Sequence, residues 1–355
     1  MSSNQTPEGF LPSIIDTPYP NVAIGDIYEV TSQFDPSIAQ ADVEIFEDLL
    51  AGIRKKYAPK NSTFYYVSAT ALSGVLEGIA EGETSRPDTR VGVVHLDKYI
   101  AAGSDNPDYF RLNVSRNSKD DLVPRVGTAT PVEQQLAHLS DWMGQYDELL
   151  FVDDVLAFGS TIPPIVNGLR AQNPHIHYRL LAGIAASGGE WRGIERVRED
   201  TGIETEYLTK VNASPAIKDG STGMTIPVSR DLTVFGGKAG SDTQGTRLSY
   251  PYFLPFSKPL VSLIDTPHRF EASEALLAFN ERLVRFIGKR LGRSLRIGDL
   301  IENGFGYPHS SLESVGSDLE VPDNSTEISD YLDYARGVTV LKATNISKEL
   351  ESKKS

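Results

Sequence analysis

The segment LLFVDDVLAFGSTIPPIVNGL, residues 149–169, decides the fold of this 355-residue chain. It begins with four apolar residues, continues through the paired acids Asp153 and Asp154, and enters a loop of small residues before an apolar helical pattern. Such a run predicts a buried strand that ends at the two carboxylates, followed by a helix. Pro163 and Pro164 fit the first helical turn, where backbone N–H groups have no helical partner. The segment therefore predicts a strand–loop–helix unit of an α/β fold.

The loop of this segment has the chemistry of a phosphate site. Its backbone amides and the start of the following helix would present N–H donors and the positive end of the helix dipole to an anion. Ser160 and Thr161 add hydroxyl donors. Asp153 and Asp154 can accept hydrogen bonds from vicinal hydroxyls or hold a divalent cation. A phosphate and a diol together describe a ribose 5-phosphate; the alternative is an ordinary turn that the two acids cap.

The segment VDDVLAFGST resembles the loop that binds 5-phosphoribosyl 1-pyrophosphate (PRPP) in the type I phosphoribosyltransferases. The resemblance rests on residues 149–161 and implies that Asp153 and Asp154 hold the ribose diol. It implies Mg²⁺ as the cofactor, bridging PRPP oxygens and water without a direct protein ligand. Phe158 departs from the small or hydroxyl residue that is usual at its position. The implied 5-phosphate cradle consists of Ala157, Phe158, Gly159, Ser160 and Thr161.

Composition narrows the class of protein. The formal net charge is −14, from 34 basic and 48 acidic residues, which argues against a nucleic-acid-binding surface. The absence of cysteine excludes disulfides, thiolate catalysis and cysteine-bound metals. The first ten residues lack the pattern of a secretory signal, and no apolar run is long enough to cross a membrane. We therefore expect a cytoplasmic protein.

The residues on either side of the opening segment extend the α/β pattern. Strands are predicted over residues 63–69 and 90–96 with a short helix between them, a spacing that favours a βαβ unit and a parallel sheet. Residues 176–187 are nearly continuously apolar, as in a strand buried on both faces. The predicted core, residues 61–211, is a mostly parallel sheet flanked by helices.

The resemblance also implies two further elements around PRPP. The first core strand of the family ends in a short loop that binds pyrophosphate through backbone amides, and Ser68, Ala69 and Thr70 occupy the matching place; a plain turn is the alternative. The polar residues 97–130 match the position of the family's mobile catalytic loop. Its cations are Lys98, Arg111, Arg116, Lys119 and Arg125, each of which is otherwise a solvated surface residue. We favour Arg116 and Lys119 for neutralising the leaving pyrophosphate.

The remaining segments are predicted to surround this core. Residues 1–60 are read as an extended surface lead-in, up to about residue 24, and a packing helix; residues 212–262 as a Gly- and Pro-rich β hood. Residues 263–355 are read as a helical extension and a polar tail, with a strong helix that ends at Gly292. Trp191 and Tyr252 are candidates for an acceptor pocket, although Trp191 also fits a role in packing its helix against the sheet.

Three functions are consistent with these patterns. The first is a Mg²⁺-dependent phosphoribosyltransferase that moves the phosphoribosyl group from PRPP to a nitrogenous base or related acceptor. The second is a non-catalytic regulator or sensor of PRPP or nucleotides. The third, a ribose-phosphate pyrophosphokinase, ranks last because no ATP motif or domain duplication is visible. The expected partners are PRPP or a nucleotide and a small-molecule acceptor, with no membrane and no nucleic acid; a homodimer is compatible with them.

Overall fold

The computed structural model describes most of the chain in two compact units. One unit comprises residues 1–24 and 61–216, and the other comprises residues 25–60 and 217–355. The described residues are 10–17, 20–58, 62–97, 105–116, 121–125, 128, 130–188, 192–212, 228–230, 238–241, 247–250, 268–303, 307–308 and 323–352.

Strands and helices are numbered in chain order. The strands are β1 (Ile14–Ile15), β2 (Pro20–Gly25), β3 (Thr63–Ser68), β4 (Val91–His95), β5 (Tyr109–Arg111), β6 (Val114–Arg116), β7 (Leu122–Pro124), β8 (Glu148–Leu156), β9 (His177–Ser187), β10 (Thr205–Asn212), β11 (Val228–Arg230), β12 (Lys238–Ser241), β13 (Arg247–Tyr250) and β14 (Tyr307–Pro308). The helices are α1 (Ile27–Phe34), α2 (Gln40–Tyr57), α3 (Ala69–Thr84), α4 (Val132–Met143), α5 (Ile162–Gln172), α6 (Gly193–Thr201), α7 (Arg269–Leu291), α8 (Ile297–Glu302) and α9 (Ile328–Ser352).

A six-stranded sheet forms the centre of the first unit. Its order is β1-β10-β9-β8-β4-β5, and every neighbouring pair is parallel. Leu180 and Ala182 of β9 belong to a buried apolar cluster that includes residues of α4, α5 and α6. Gly183 faces the opposite way, toward Leu72 of α3, because successive strand residues alternate between faces. Helices therefore cover both faces, and the predicted α/β fold class is confirmed.

The connections of β4 and β8 leave the sheet in opposite directions. From β4 the chain passes to β5 at one edge, then returns through β6, β7 and α4 to β8 on the other side of β4. From β8 it continues through α5 to β9, away from β4. Open α/β sheets bind ligands in the crevice that such a reversal creates at the carboxyl ends of the strands. The fold therefore predicts a ligand site at the carboxyl ends of β4 and β8.

Two expectations about the amino-terminal strands were wrong. β3 does not pair with β4; it lies beside β2 in a second, smaller sheet, although α3 still packs against β4, β8 and β9. The lead-in up to about residue 24 was expected on the surface, but Val22, Ala23 and Ile24 of β2 are fully buried. This apolar run is too short for a periodic pattern, and its burial depends on pairing with a strand about forty residues later.

The second unit contains a helical bundle and a small sheet. Phe46 of α2 packs against Phe279 and Phe286 of α7, with ring centroids 6.3 and 5.2 Å apart, and α9 also packs on α7. α7 ends at Gly292, whose φ of +67° is the left-handed cap predicted there. Within the predicted hood, β12 and β13 form an antiparallel pair, and β14 lies parallel to β13. No helix of the described ranges is long and apolar enough to cross a membrane.

An ion-pair network occupies the amino-terminal edge of the central sheet. Buried Glu148 accepts hydrogen bonds from Arg179 at 2.7 Å and Arg86 at 3.3 Å, and contacts His177 Nδ1 at 3.1 Å. Burial opposes ionisation of Glu148, but hydrogen bonds from Arg179 and His177 outweigh it and hold its pKa below the ordinary value. The network therefore joins the starts of β8 and β9 to the end of α3.

Loss of the Glu148 charge is expected to destabilise the central sheet. Glu148→Gln should lower the free energy of unfolding by about 2–3 kcal/mol, because the buried acceptor loses its charge and bonds less strongly to the half-buried guanidinium of Arg179. Denaturant titration at pH 7 measures the effect. The matched control is Glu206→Gln, which also contacts Arg179 but is half exposed and should cost under about 1 kcal/mol. Equal losses in the two variants would contradict the structural role of Glu148.

Candidate functional site

The paired acids lie at the carboxyl end of β8. The strand continues to Leu156, so Asp153 and Asp154 lie within β8 near its carboxyl end and do not follow it as predicted. They consequently point to opposite faces of the sheet, and the Asp154 N–H donates to Asp153 Oδ1 at 3.1 Å. Asp154 is buried and Asp153 is half-buried. The two carboxylates thus approach the crevice from different sides of one strand.

A third acid, Asp97, reaches the same crevice from the end of β4. Arg125, which follows β7, lies 3.5 Å from Asp97 Oδ2 through Nη1. The other nitrogen of Arg125, Nη2, donates to the Leu96 carbonyl at 2.5 Å and to the Val114 carbonyl at 3.3 Å. Arg125 therefore fixes the segment after β7 against the end of β4, next to the acids.

The electrostatics of this cluster are unusual for carboxylates. Burial raises the pKa of Asp153 well above its ordinary value, and the charges of Asp154 and Asp97 raise it further, while Arg125 opposes them. Three acids from neighbouring strands share one crevice with Arg125, and the guanidinium of Arg111 also interacts with Asp97. Perturbed acids in a cleft are typical of functional sites. The cluster would gain stability from hydroxyl donors or from a bound cation.

A buried histidine lies two residues before Asp97, at the end of β4. His95, the last residue of β4, is 2% exposed, and its ring lies 4.9 Å from the ring of Tyr109 in an edge-on arrangement. Neither ring nitrogen has a hydrogen-bond partner in the described residues. Burial, and to a lesser extent the charge of Arg111, lower the pKa of His95 to about 4 against the opposing charge of Asp97. His95 is therefore neutral at physiological pH.

The predicted phosphate loop, residues 157–161, is held by a close approach of two glycines. Gly159 has a φ of +66°, and a side chain there would meet the Gly193 carbonyl oxygen at 2.5 Å. A side chain on Gly193 would in turn meet the carbonyl oxygens of Leu156 and Ala157 at 2.6 and 2.7 Å. Only glycine fits both positions without a shift of backbone. The contact therefore clamps the loop onto the first residue of α6.

The remaining loop residues lie on both sides of Gly159 in the chain. Phe158 is 41% exposed, and Ser160 and Thr161 are half-buried. Thr161 occupies the N-cap position of α5 without a side-chain cap bond, and Pro163 and Pro164 stand in its first turn as predicted. The loop thus places the amino-terminal end of α5, which is the positive end of its helix dipole, at the crevice.

The predicted pyrophosphate loop is the start of a helix. Ser68 is the N-cap of α3 and accepts a hydrogen bond from the Ala71 N–H at 3.1 Å, while Ala69 and Thr70 form the first turn. The hydroxyl of Ser68 thus serves as a cap, while the amides of this turn are the groups that an anion would use. A role in pyrophosphate binding stays a prediction.

Several predicted residues cannot be placed in the crevice. Arg116 lies in β6, and the other three residues, Lys119, Trp191 and Tyr252, lie outside the described residues. Their roles stay predictions. No group of three or more acidic or histidine side chains within the described ranges is positioned to hold a metal ion.

Sequence reasoning missed Asp97 and undervalued Arg111 and Arg125. Asp97 has a detectable signal, since it directly follows an apolar strand and so ends at the ligand edge of the sheet. Arg125 has no such signal, because its approach depends on the pairing of β6 with β7. Arg111 is placed beside His95 by the parallel pairing of β4 with β5.

Comparison with known proteins gives one partial match. No family model matches the chain. A hypoxanthine/guanine phosphoribosyltransferase of Methanopyrus kandleri is 34% identical over 68 residues, which is 19% of this chain. The match covers 33% of that relative, so the chain spans about a third of its length. This similarity suggests a relationship to the phosphoribosyltransferases.

Proposed function

We propose that this protein binds PRPP, with Mg²⁺, at the carboxyl ends of β4 and β8 and transfers its phosphoribosyl group to a nitrogenous base or related acceptor. One observation carries the proposal: paired acids and a glycine-clamped loop at a helix start occupy the point where the sheet connections reverse. The partial match to a phosphoribosyltransferase supports it independently.

Each part of the crevice has a task in this reaction. Asp153 and Asp154 accept hydrogen bonds from the two ribose hydroxyls. The amides of residues 157–161 and the dipole of α5 hold the 5-phosphate. Arg125, beside Asp97, offsets part of the negative charge of the ligand.

The chemistry itself asks little of the side chains. The bond between the anomeric carbon and the pyrophosphate oxygen breaks with the electron pair leaving on pyrophosphate, a bond to the acceptor nitrogen forms, and the acceptor N–H proton passes to solvent water. Positioning of PRPP and electrostatic stabilisation of the departing pyrophosphate account for most of the expected acceleration. Mg²⁺, which prefers substrate oxygens and water to an all-protein cage, would neutralise pyrophosphate, and the carboxylate oxygens of Asp153 and Asp154 are of the ligand type that such a cation accepts.

Calorimetric titration of PRPP in the presence of Mg²⁺ tests the site. Asp153→Asn/Asp154→Asn should weaken PRPP binding by about 100-fold or more, because each side chain loses one of its two oxygen acceptors for the diol. The double variant should remain folded, since removing crowded carboxylates relieves repulsion at neutral pH. Asp141→Asn, at an exposed position of α4, is the matched control and should bind like wild type. Absence of PRPP binding by wild type would refute the proposal.

A non-catalytic PRPP or nucleotide sensor is the second candidate. It is favoured by Phe158, which is 41% exposed and places an apolar ring on the phosphate loop where a small or hydroxyl residue would serve catalysis better. Pyrophosphate release separates the two candidates. A transferase releases pyrophosphate from PRPP with at least one base in a panel, whereas a sensor binds PRPP and releases none.

A further inference from the structure

A carboxylate at the start of α6 is connected to the end of β9. Ser187, the last residue of β9, is buried, and its hydroxyl donates to Glu195 Oε1 at 2.5 Å. The second oxygen, Glu195 Oε2, is also shielded from solvent but has no hydrogen-bond partner in the described part of the chain. One oxygen of Glu195 is therefore fixed by the protein, and the other has unused capacity.

An unused carboxylate oxygen of this kind is costly. A shielded acceptor without a donor loses its bonds to water and gains nothing in return. Native structures seldom retain such groups, and those that remain call for an explanation such as a functional partner. Glu195 as a residue is half-buried, so its carboxylate lies near the protein surface, where a ligand can supply the missing donor.

The position of Glu195 ties it to the proposed site. It lies two residues after Gly193, whose backbone is in close contact with the phosphate loop. Ser187 ends the strand next to β8, at the same carboxyl edge as Asp153 and Asp154. The first turn of a helix also favours a negative charge. A ligand bound along the ends of β8 and β9 would therefore reach Glu195 beyond the phosphate loop.

We propose that Glu195 is a specificity-determining residue that accepts a hydrogen bond from an N–H of the acceptor. Its negative charge then selects neutral acceptors that carry N–H donors and rejects those that present a carboxylate at this edge. This inference rests on the proposed transferase function. It assigns the substrate class as carboxylate-free nitrogenous bases.

The test compares acceptors in matched pairs, with PRPP and Mg²⁺ present. In the first pair, orotate is uracil with an added carboxylate. In the second pair, nicotinate carries a carboxylate where nicotinamide carries an amide. Hypoxanthine, guanine and adenine complete the panel. Wild type should bind or use a carboxylate-free member. Glu195→Gln keeps an oxygen for the Ser187 hydroxyl but removes the charge, so it should lower the preference for that member about tenfold or more.

Three outcomes are informative. The inference would be overturned if Glu195→Gln left the acceptor preference unchanged. It would also be overturned if wild type preferred a carboxylated acceptor, or bound no acceptor from the panel. PRPP affinity and the thermal midpoint should stay at wild-type values in Glu195→Gln, which separates selection of the acceptor from general damage. Glu199→Gln, exposed on the same helix, is the matched control. Failure of wild type to bind PRPP would instead indicate that the proposed function itself is wrong.

Discussion

Replacement of Gly159 by alanine is expected to weaken PRPP binding about 100-fold. Alanine disfavours the φ of +66°, and its methyl group would lie 2.5 Å from the Gly193 carbonyl oxygen, which belongs to backbone and cannot rotate away. The loop must therefore move away from α6, and losing even one hydrogen bond from its amides to the charged phosphate costs about 1.5–3 kcal/mol. Calorimetric titration of PRPP measures the change in affinity.

Gly202→Ala is the control that distinguishes displacement of the phosphate loop from backbone strain alone. Gly202 has a similar φ of +72°, but no atom lies within 4 Å of the added methyl group, and the residue caps the far end of α6. Both variants should lose about 1 kcal/mol of stability from strain. Gly202→Ala should nonetheless bind PRPP like wild type. If Gly159→Ala did so too, the two-glycine clamp would have no part in positioning the loop.

The second large effect concerns stability in acid. The pKa of His95 is about 4 in the folded protein, against 6.5 as the ordinary value. The stabilisation linked to neutral His95 is therefore fully present above pH 6.5 and is lost as the pH falls toward 4. The shift corresponds to about 3 kcal/mol. Denaturant titrations of wild type and His95→Leu across this range should show wild type losing that much more than the variant.

The comparison with His95→Leu is needed because other groups titrate in the opposite sense. The raised pKa of Asp153 means that its ionised form is disfavoured in the fold, so protonation of Asp153 adds relative stability as the pH falls. This contribution is common to wild type and variant and cancels in their difference. Parallel stability curves for the two proteins between pH 6.5 and 4 would show that His95 is not buried in its neutral form.

The central sheet was predictable because its signals are local. The continuous apolar runs at β4, β8 and β9 indicate strands buried on both faces, and helical periodicity identifies α7 together with its glycine cap. The acids of β8 and the small-residue loop stand next to each other in the chain. Their chemistry could therefore be predicted without knowledge of the fold.

The rest of the site depends on contacts between distant residues. Arg125 reaches Asp97 across 28 positions, and Gly193 meets Gly159 across the whole of α5 and β9. Neither pair leaves a periodic or compositional pattern in the sequence. The pairing of β3 with β2 instead of β4 was missed for the same reason, since strand partners are chosen by tertiary packing.

The parallel edge formed by β1 also constrains the order of folding. Ile14 and Ile15 pair with Lys210 and Val211, so the earliest strand of the chain joins the sheet through a partner almost two hundred residues later. Such a distant pairing is slow, because the entropy of a long loop is lost before any contact compensates for it. During synthesis on the ribosome, β1 can dock only after β10 has emerged. Until then the edge of β9 that will pair with β10 is open, and unpaired strand edges of this kind favour aggregation.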